Sequence, residues 1–391
     1  MNQRPMSLKV LITGSTPGFG LAFQFVQLAV WLKRQGVDVI MTGCDGEATP
    51  GLFDTLKDAD VPFVDVPGLR RTGVPQLLRP SGELASVYDQ WRPDVAVVTT
   101  VGHAAESRGR RRGDPWVVWW LQSVRNTTFY AGLARRLAAY AVNRHSDQVW
   151  IQCEIERRQM NAAGVRPELV ELVPTPVDVA WWRRTAEQPM PAEFAPVAAA
   201  KAKGRPILVY PASLLPAKRH DTLLRAAAIV KERLPGVFVC CPGQYSAAPL
   251  RGLIGQLGLE DHVMFTEAMV RQEAIPPLLA AADVHVFSSE NETYGKALIE
   301  AFCIGVPTAS TRVGVALEAE QAGVALVCHI GDYRTMAGNI LSILENASTA
   351  EQLRAKSKRW IDECYSFEAV GGRMLGLLRG LASRTSDRGP R

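Results

Sequence analysis

SSENETYGKALIEAFCIGVPTA (Ser288–Ala309) follows directly on AADVHVF (Ala281–Phe287), and the pair reads as a strand, a loop and a glycine-opened helix. The apolar, β-branched run favours a buried strand, and Gly295 then starts a helix that carries Lys296 through Ile304. On that reading Glu292 lies in the loop and Glu300 about a turn and a half into the helix. The amides of Tyr294, Gly295 and Lys296 fall at the positive end of the helix, where unsatisfied donors suit a diphosphate. Glu292 is then placed to reach a sugar beyond the phosphates, and Glu300 to accept both hydroxyls of a ribose. On that expectation, one element would hold a nucleotide-sugar at three points.

Outward from this segment the chain repeats one plan twice. KVLIT (Lys9–Thr13), a glycine-bearing turn (Gly14–Gly20) and an apolar-faced helix open the first unit. Strands VDVIMT at Val37, VPFVDV at Val61, DVAVVTT at Asp94, WVVWWLQ at Trp116 and DQVWIQC at Asp147 follow, separated by helical or loop segments. The plan restarts at ILVY (Ile207–Tyr210) and continues through GVFVCC at Gly236, HVMFT at His262, VHVF at Val284, PTAS at Pro307 and VALVC at Val324. Strands alternating with helices imply α/β architecture, with two Rossmann-like parallel sheets facing across a cleft. Ligands of such sheets bind at the carboxyl ends of the strands. The expected division is residues 1–187 for the first domain, Gln188–Gly204 as a proline- and alanine-rich linker, and 205–365 for the second domain. A helix over 366–383 has Phe367, Val370, Met374, Leu377 and Leu381 on one face and must pack on something; 384–391 is expected to be a disordered tail.

Glu292 and Glu300 stand in order with Tyr294, Gly295, Ala301, Gly305, Pro307 and Gly314. This arrangement resembles the E-x7-E signature of retaining glycosyltransferases of the GT-B fold, family four. PASLLPAKRHDTLL (Pro211–Leu224) resembles the family segment G-R-L-x-x-x-K-G, with Lys218 as the lysine, Ser213 in the arginine position and Arg219 in place of the glycine. The resemblance is most specific over Pro211–Asp332 and loose over Met1–Trp182. It implies transfer of a hexosyl group from a nucleoside-diphosphate sugar to an acceptor hydroxyl, with retention of configuration and without a metal or other cofactor. Glycans, lipid-linked molecules and small molecules are the acceptor classes, and the C-terminal helix crosses back to the first domain. Under it Glu292, Lys218 and Gln122 are the catalytic candidates, Gln122 standing where the family places a histidine. Donor-binding candidates are Glu300, Arg219, Ser213, Tyr294, Gly295 and Lys296, with Gly18 and Gly20 closing from the first domain and Ala268 and Met269 near the base. His103 and Arg125 are acceptor-side candidates.

Other readings compete. TGSTPGFG (Thr13–Gly20) fits a dinucleotide fingerprint, but no tyrosine has the lysine four residues on that short-chain dehydrogenases need. A sugar-nucleotide epimerase of GT-B architecture and a non-catalytic nucleotide-sugar binding protein are the two alternatives to transfer. Asp58–Asp60 has DxD spacing but falls on a turn far from any glycine-rich strand end, so no metal site is expected. The net charge of +5 over 391 residues is too small to argue for nucleic acid. Seven cysteines without a CxxC pair read as reduced core residues. No apolar run approaches the roughly 20 residues of a membrane span, and MNQRPMSLKVLITG has no signal-peptide pattern, so the expected location is cytoplasmic. Arg108, Arg110, Arg111 and Arg112 in SRGRRRG read as solvated surface or, alternatively, as a contact for an anionic membrane surface or a phosphorylated acceptor, the membrane case implying peripheral attachment at the inner membrane face.

Overall fold

The apolar runs of the first half pair as a seven-stranded parallel sheet, and those of the second half as a six-stranded one. The computed structural model describes residues 7–13, 19–43, 52–66, 83–99, 115–120 and 133–384. Its contacts divide the chain into a unit of Met1–Val177 with Phe367–Arg391 and a second unit of Asp178–Ser366.

The first sheet consists of β1 (Lys9–Thr13), β2 (Asp38–Gly43), β3 (Phe63–Asp65), β4 (Val95–Val98), β5 (Trp116–Trp120), β6 (Gln148–Ile151) and β7 (Val170–Leu172). Their spatial order is β3-β2-β1-β4-β5-β6-β7. Both faces are covered, which is why β4 and β6 are apolar at nearly every position rather than at alternate ones. Trp119 and Trp120 divide between the faces, as consecutive strand residues must. Trp120 meets Phe25 and Trp150 edge-on at 5.6 and 5.8 Å. β7 was not among the predicted strands: it lies in PELVELVP, where two prolines leave too short a run for a pattern to show.

The last helical segment joins this first unit. A wide turn over Phe367–Gly371 leads into the helix Gly372–Ala382. Phe367, Val370, Met374, Leu378 and Leu381 enter the same core as Val10, Phe25 and Val97. The Phe367 ring stacks on Trp31 at 5.5 Å. Leu378 occupies the centre of the apolar stripe, with Leu377 packed at its margin.

The second unit begins earlier than the predicted boundary at residue 188. Asp178 accepts the Trp181 amide at 2.8 Å and so caps the helix Val179–Ala186, which opens that unit. Gln188–Gly204 is not a linker. It holds a 3-10 turn (Ala192–Phe194) and the helix Ala195–Ala202, with Phe194 and Val197 fully buried. Proline is well placed at the start of a helix and alanine is the strongest helix former, so the composition that suggested a linker serves a packed helix equally well.

The second sheet consists of β8 (Ile207–Val209), β9 (Phe238–Gln244), β10 (Val263–Glu267), β11 (Val284–Phe287), β12 (Thr308–Thr311) and β13 (Leu326–Cys328). The order β10-β9-β8-β11-β12-β13 reverses direction between β8 and β11. At such a reversal the crossover connections leave on opposite faces and open a crevice beyond the carboxyl ends of the two strands. In the first sheet the corresponding reversal falls between β1 and β4. Gly18, His103, Arg108, Arg110, Arg111, Arg112, Gln122, Arg125 and the tail from residue 385 lie outside the described residues, while Gly20 belongs to the first turn of the helix Phe19–Arg34.

Candidate active site

Both loops that leave the reversal of the second sheet carry charged side chains, and backbone contacts bind the loops together. Beyond β8 the chain passes Ser213 and forms a 3-10 turn over Pro216–Lys218; beyond β11 it runs through Ser288–Gly295 into the helix Lys296–Ile304. The Glu290 amide donates to the Ala217 carbonyl at 2.9 Å. The Lys218 carbonyl accepts from both Ser288 Oγ at 3.0 Å and Tyr210 Oη at 3.1 Å. Burial pushes the Tyr210 phenol well above its usual pKa, so it remains a donor. The backbone of Lys218 is thereby fixed on both sides.

Its ammonium reaches across to Glu292, Nζ standing 2.5 Å from Oε1. The Ser289 hydroxyl donates to the same oxygen at 2.7 Å and lies 3.1 Å from the Ala217 carbonyl. Thr311 Oγ1, at the end of β12, donates to the Ser289 carbonyl at 2.6 Å and pins that turn.

The helix start needs its glycines. Gly295 adopts φ 91° at the N-cap, a conformation that residues with a Cβ rarely take. Gly314 lies so close behind the preceding turn that a Cβ would stand 2.4 Å from the Tyr294 carbonyl oxygen. Tyr294 itself is buried, with its ring 6.3 Å from Tyr365, and so contributes to the helix start through its backbone position. One turn in, Glu300 is buried and pairs with Lys296 at 3.1 Å. Gln272 Nε2 donates to the same Glu300 oxygen at 3.3 Å.

Arg219 faces different partners. It forks onto Asp221 at 2.9 and 3.0 Å and reaches Glu290 at 3.3 Å, from a backbone at φ 50°. The Arg219 hydrogen bond holds the Asp221 carboxyl below the usual carboxylate range. Ser213 is half-buried on the β8 loop, which is tied to the end of β9 by Leu214 N donating to the Gln244 carbonyl at 2.9 Å. Beyond β10 the Ala268 carbonyl accepts from Thr266 Oγ1 at 3.3 Å, and Met269 is exposed.

Of the predicted residues, Lys218 and Glu292 are brought together, as are Lys296 and Glu300, all at the point where the sheet order reverses. Ser289, Gln272, Asp221 and Glu290 were missed. Asp221 could have been found, since an acid two residues from an arginine is a visible pairing; Gln272 could not, because 28 positions separate it from Glu300.

The family described as Glycosyl transferases group 1 matches residues 192–360, which include every charged residue of this site, and Glycosyl transferase 4-like domain matches residues 19–176 of the first unit. The chain belongs to the group 1 glycosyltransferases of the GT-B fold. Among relatives, N-acetyl-alpha-D-glucosaminyl L-malate synthase of Bacillus anthracis is 25% identical over 165 residues, 42% of each chain. D-inositol 3-phosphate glycosyltransferase of Nocardia farcinica is 26% identical over 359 residues, 80% of this chain and 76% of the relative. Matches to several other curated relatives span about half of their length. The crystal structure of Anabaena Alr3699/HepE in complex with UDP has the same fold, with a TM-score of 0.76 at 19% identity over 96% of this chain and 100% of that one.

Among the described residues no three His, Cys, Asp or Glu side chains are grouped so as to hold a metal ion, and no helix is long and apolar enough to cross a membrane. Asp60 of the DxD stretch is an exposed partner of Lys33 at 3.2 Å. Five of the six described cysteines are buried, and Cys364 is exposed.

Proposed function

We propose that the protein transfers a sugar from a nucleoside-diphosphate sugar to an acceptor hydroxyl with retention of anomeric configuration, binding the donor on the second unit. The observation that carries this reading is the pair of signature glutamates, each held by a lysine, at the strand-order reversal of a sheet whose residues match the group 1 family. Glu300 accepts the ribose hydroxyls, Glu292 orients the transferred sugar, and Lys218 stabilises the charge that develops on the departing diphosphate. The Anabaena structures of the same fold, with UDP and with UDP-glucose, support a nucleotide-sugar as the ligand class. Departing phosphate oxygen takes the acceptor proton on the face from which the sugar leaves, so retention needs no separate protein base. Cations and the helix start at Gly295 do the electrostatic part, and turnover on this reading is independent of added metal. We further propose a cytoplasmic location, with Arg108, Arg110, Arg111 and Arg112 contacting an anionic membrane surface or a phosphorylated acceptor.

Incubation with a panel of nucleotide-sugars, with and without hydroxyl acceptors and with and without a chelator, tests this. Release of nucleoside diphosphate that rises with acceptor and persists in chelator is the expected result. Binding without release would point to a non-catalytic binding protein. Conversion of the sugar within the intact donor would point to an epimerase, and restoration of lost turnover by magnesium would show that a metal neutralises the diphosphate.

A further inference from the structure

Two lysines and two glutamates of the site cancel in charge, as Lys218 with Glu292 at 2.5 Å and Lys296 with Glu300 at 3.1 Å. An incoming diphosphate is strongly anionic and needs more than one of these cations. The loop position at which the family carries an arginine holds Ser213, and Arg219 is already forked onto Asp221 and bonded to Glu290. Lys296 is the remaining cation of the two loops, and it stands at the first position of the helix, where an anion is favoured.

Resting on the donor reading above, we infer that the Lys296 ammonium is the second cation for the diphosphate, taking the part of the arginine absent at Ser213, and that it leaves Glu300 to do so. Both pairs then exchange in the same sense. Lys218 passes from Glu292 to phosphate and exposes a carboxylate to the sugar; Lys296 passes from Glu300 to phosphate and exposes a carboxylate to the ribose. Gln272 remains bonded to Glu300 and keeps that carboxylate in place. The side-chain exposures fit this division: Lys296, at 23%, is the member of the pair nearer to solvent, and Glu300, at 10%, the more buried one. Diphosphate and ribose therefore bind cooperatively, because filling one subsite removes the competitor from the other.

The native protein is first titrated with UDP and GDP by calorimetry; failure to bind either one sinks the donor reading itself. With the nucleoside diphosphate that binds, Lys296→Gln should lose about tenfold or more in affinity, the scale of one charge-assisted hydrogen bond, while Lys296→Arg stays within about threefold of native. The corresponding nucleoside, followed by ligand-observed NMR, should bind Lys296→Gln as well as native or better, since the competitor for Glu300 is gone. A lysine that merely neutralises a buried carboxylate would instead weaken both ligands equally when replaced, and that result, or unchanged diphosphate affinity, overturns the assignment while leaving donor binding intact. The native protein offers a test that needs no variant: saturating pyrophosphate should raise its affinity for the nucleoside, and independence of the two ligands would refute the exchange.

Discussion

Lys218 and Arg219 are consecutive residues at the end of one turn, yet their ion pairs differ in burial and in what depends on them. The carboxylates bound by lysine are mostly withdrawn from water, Glu292 at 14% and Glu300 at 10% side-chain exposure. Those bound by Arg219 are open, Asp221 at 35% and Glu290 at 44%. Desolvation makes a carboxylate costly to leave without its cation and makes each hydrogen bond to it stronger. Open pairs are screened and typically worth about 0–1 kcal/mol. The lysine pairs are thus the ones whose disruption should reach function, and Arg219, held by Asp221 on its own segment, braces the two loops through Glu290.

The largest effect that can break this comparison belongs to Lys218. Lys218→Ala removes the cation expected to meet the departing diphosphate, and turnover should fall by about 100- to 1,000-fold, as when one preorganised donor to developing charge is lost. Rates of nucleoside diphosphate release in a folded variant check this. Turnover within about threefold of native would mean that the short Lys218–Glu292 pair is structural, no different in kind from the Arg219 brace.

Next in size is an acid sensitivity of the core beneath both clusters. His220, directly after Arg219, packs its ring 5.0 Å from Tyr210, and burial, with Lys218 adding, lowers its pKa to about 4. His285, inside β11, is lowered by burial to about 3. Both are neutral when folded, whereas the unfolded chain protonates them near pH 6.5. Their contribution to stability is therefore complete above about pH 6.5 and is lost as pH falls towards 4 for His220 and 3 for His285. At pH 5 each should cost about 2 kcal/mol relative to pH 7. Denaturant unfolding at both pH values measures this, and His285→Gln should remove about half of the difference. Stability unchanged between pH 7 and 5 would show that the unfolded chain gains no such advantage.

The second sheet was legible because five of its six strands carry a short apolar run and β12, TAST, follows Pro307 with two β-branched threonines, and Lys218, Glu292 and Glu300 were legible through the motifs that follow β8 and β11. What holds them was not. Ser289 looks like an ordinary loop serine until its hydroxyl is placed on Glu292, and Gln272 reaches Glu300 from the other side of a strand and a helix, a relation that leaves no spacing in the sequence. The misread linker failed for another reason: Phe194 and Val197 are the large apolar residues buried in Gln188–Gly204, and with Ala200 they dock a helix whose other residues look like spacer.

The smallest expected effect sharpens the comparison from the other side. Arg219 adopts φ 50°, in the left-handed region, where a side chain costs roughly 1–2 kcal/mol relative to glycine. Arg219→Gly relieves that cost and forfeits two open ion pairs of about 0–1 kcal/mol each, so the two changes nearly offset and stability should stay within about 1 kcal/mol of native. Arg219→Ala forfeits the same pairs while keeping the backbone cost, and should be the less stable of the two by about 1 kcal/mol. In both variants Asp221 loses the guanidinium that lowers its pKa, so the stability it contributes above the ordinary carboxylate range, and gives up as pH falls towards its folded value, should shrink. Nucleoside diphosphate affinity should move by less than about threefold in either variant, since the arginine is spent on Asp221 and Glu290 before any ligand arrives. A tenfold loss of that affinity in Arg219→Gly, with stability intact, would merge the two clusters into one site and return to Arg219 the phosphate role assigned above to Lys296.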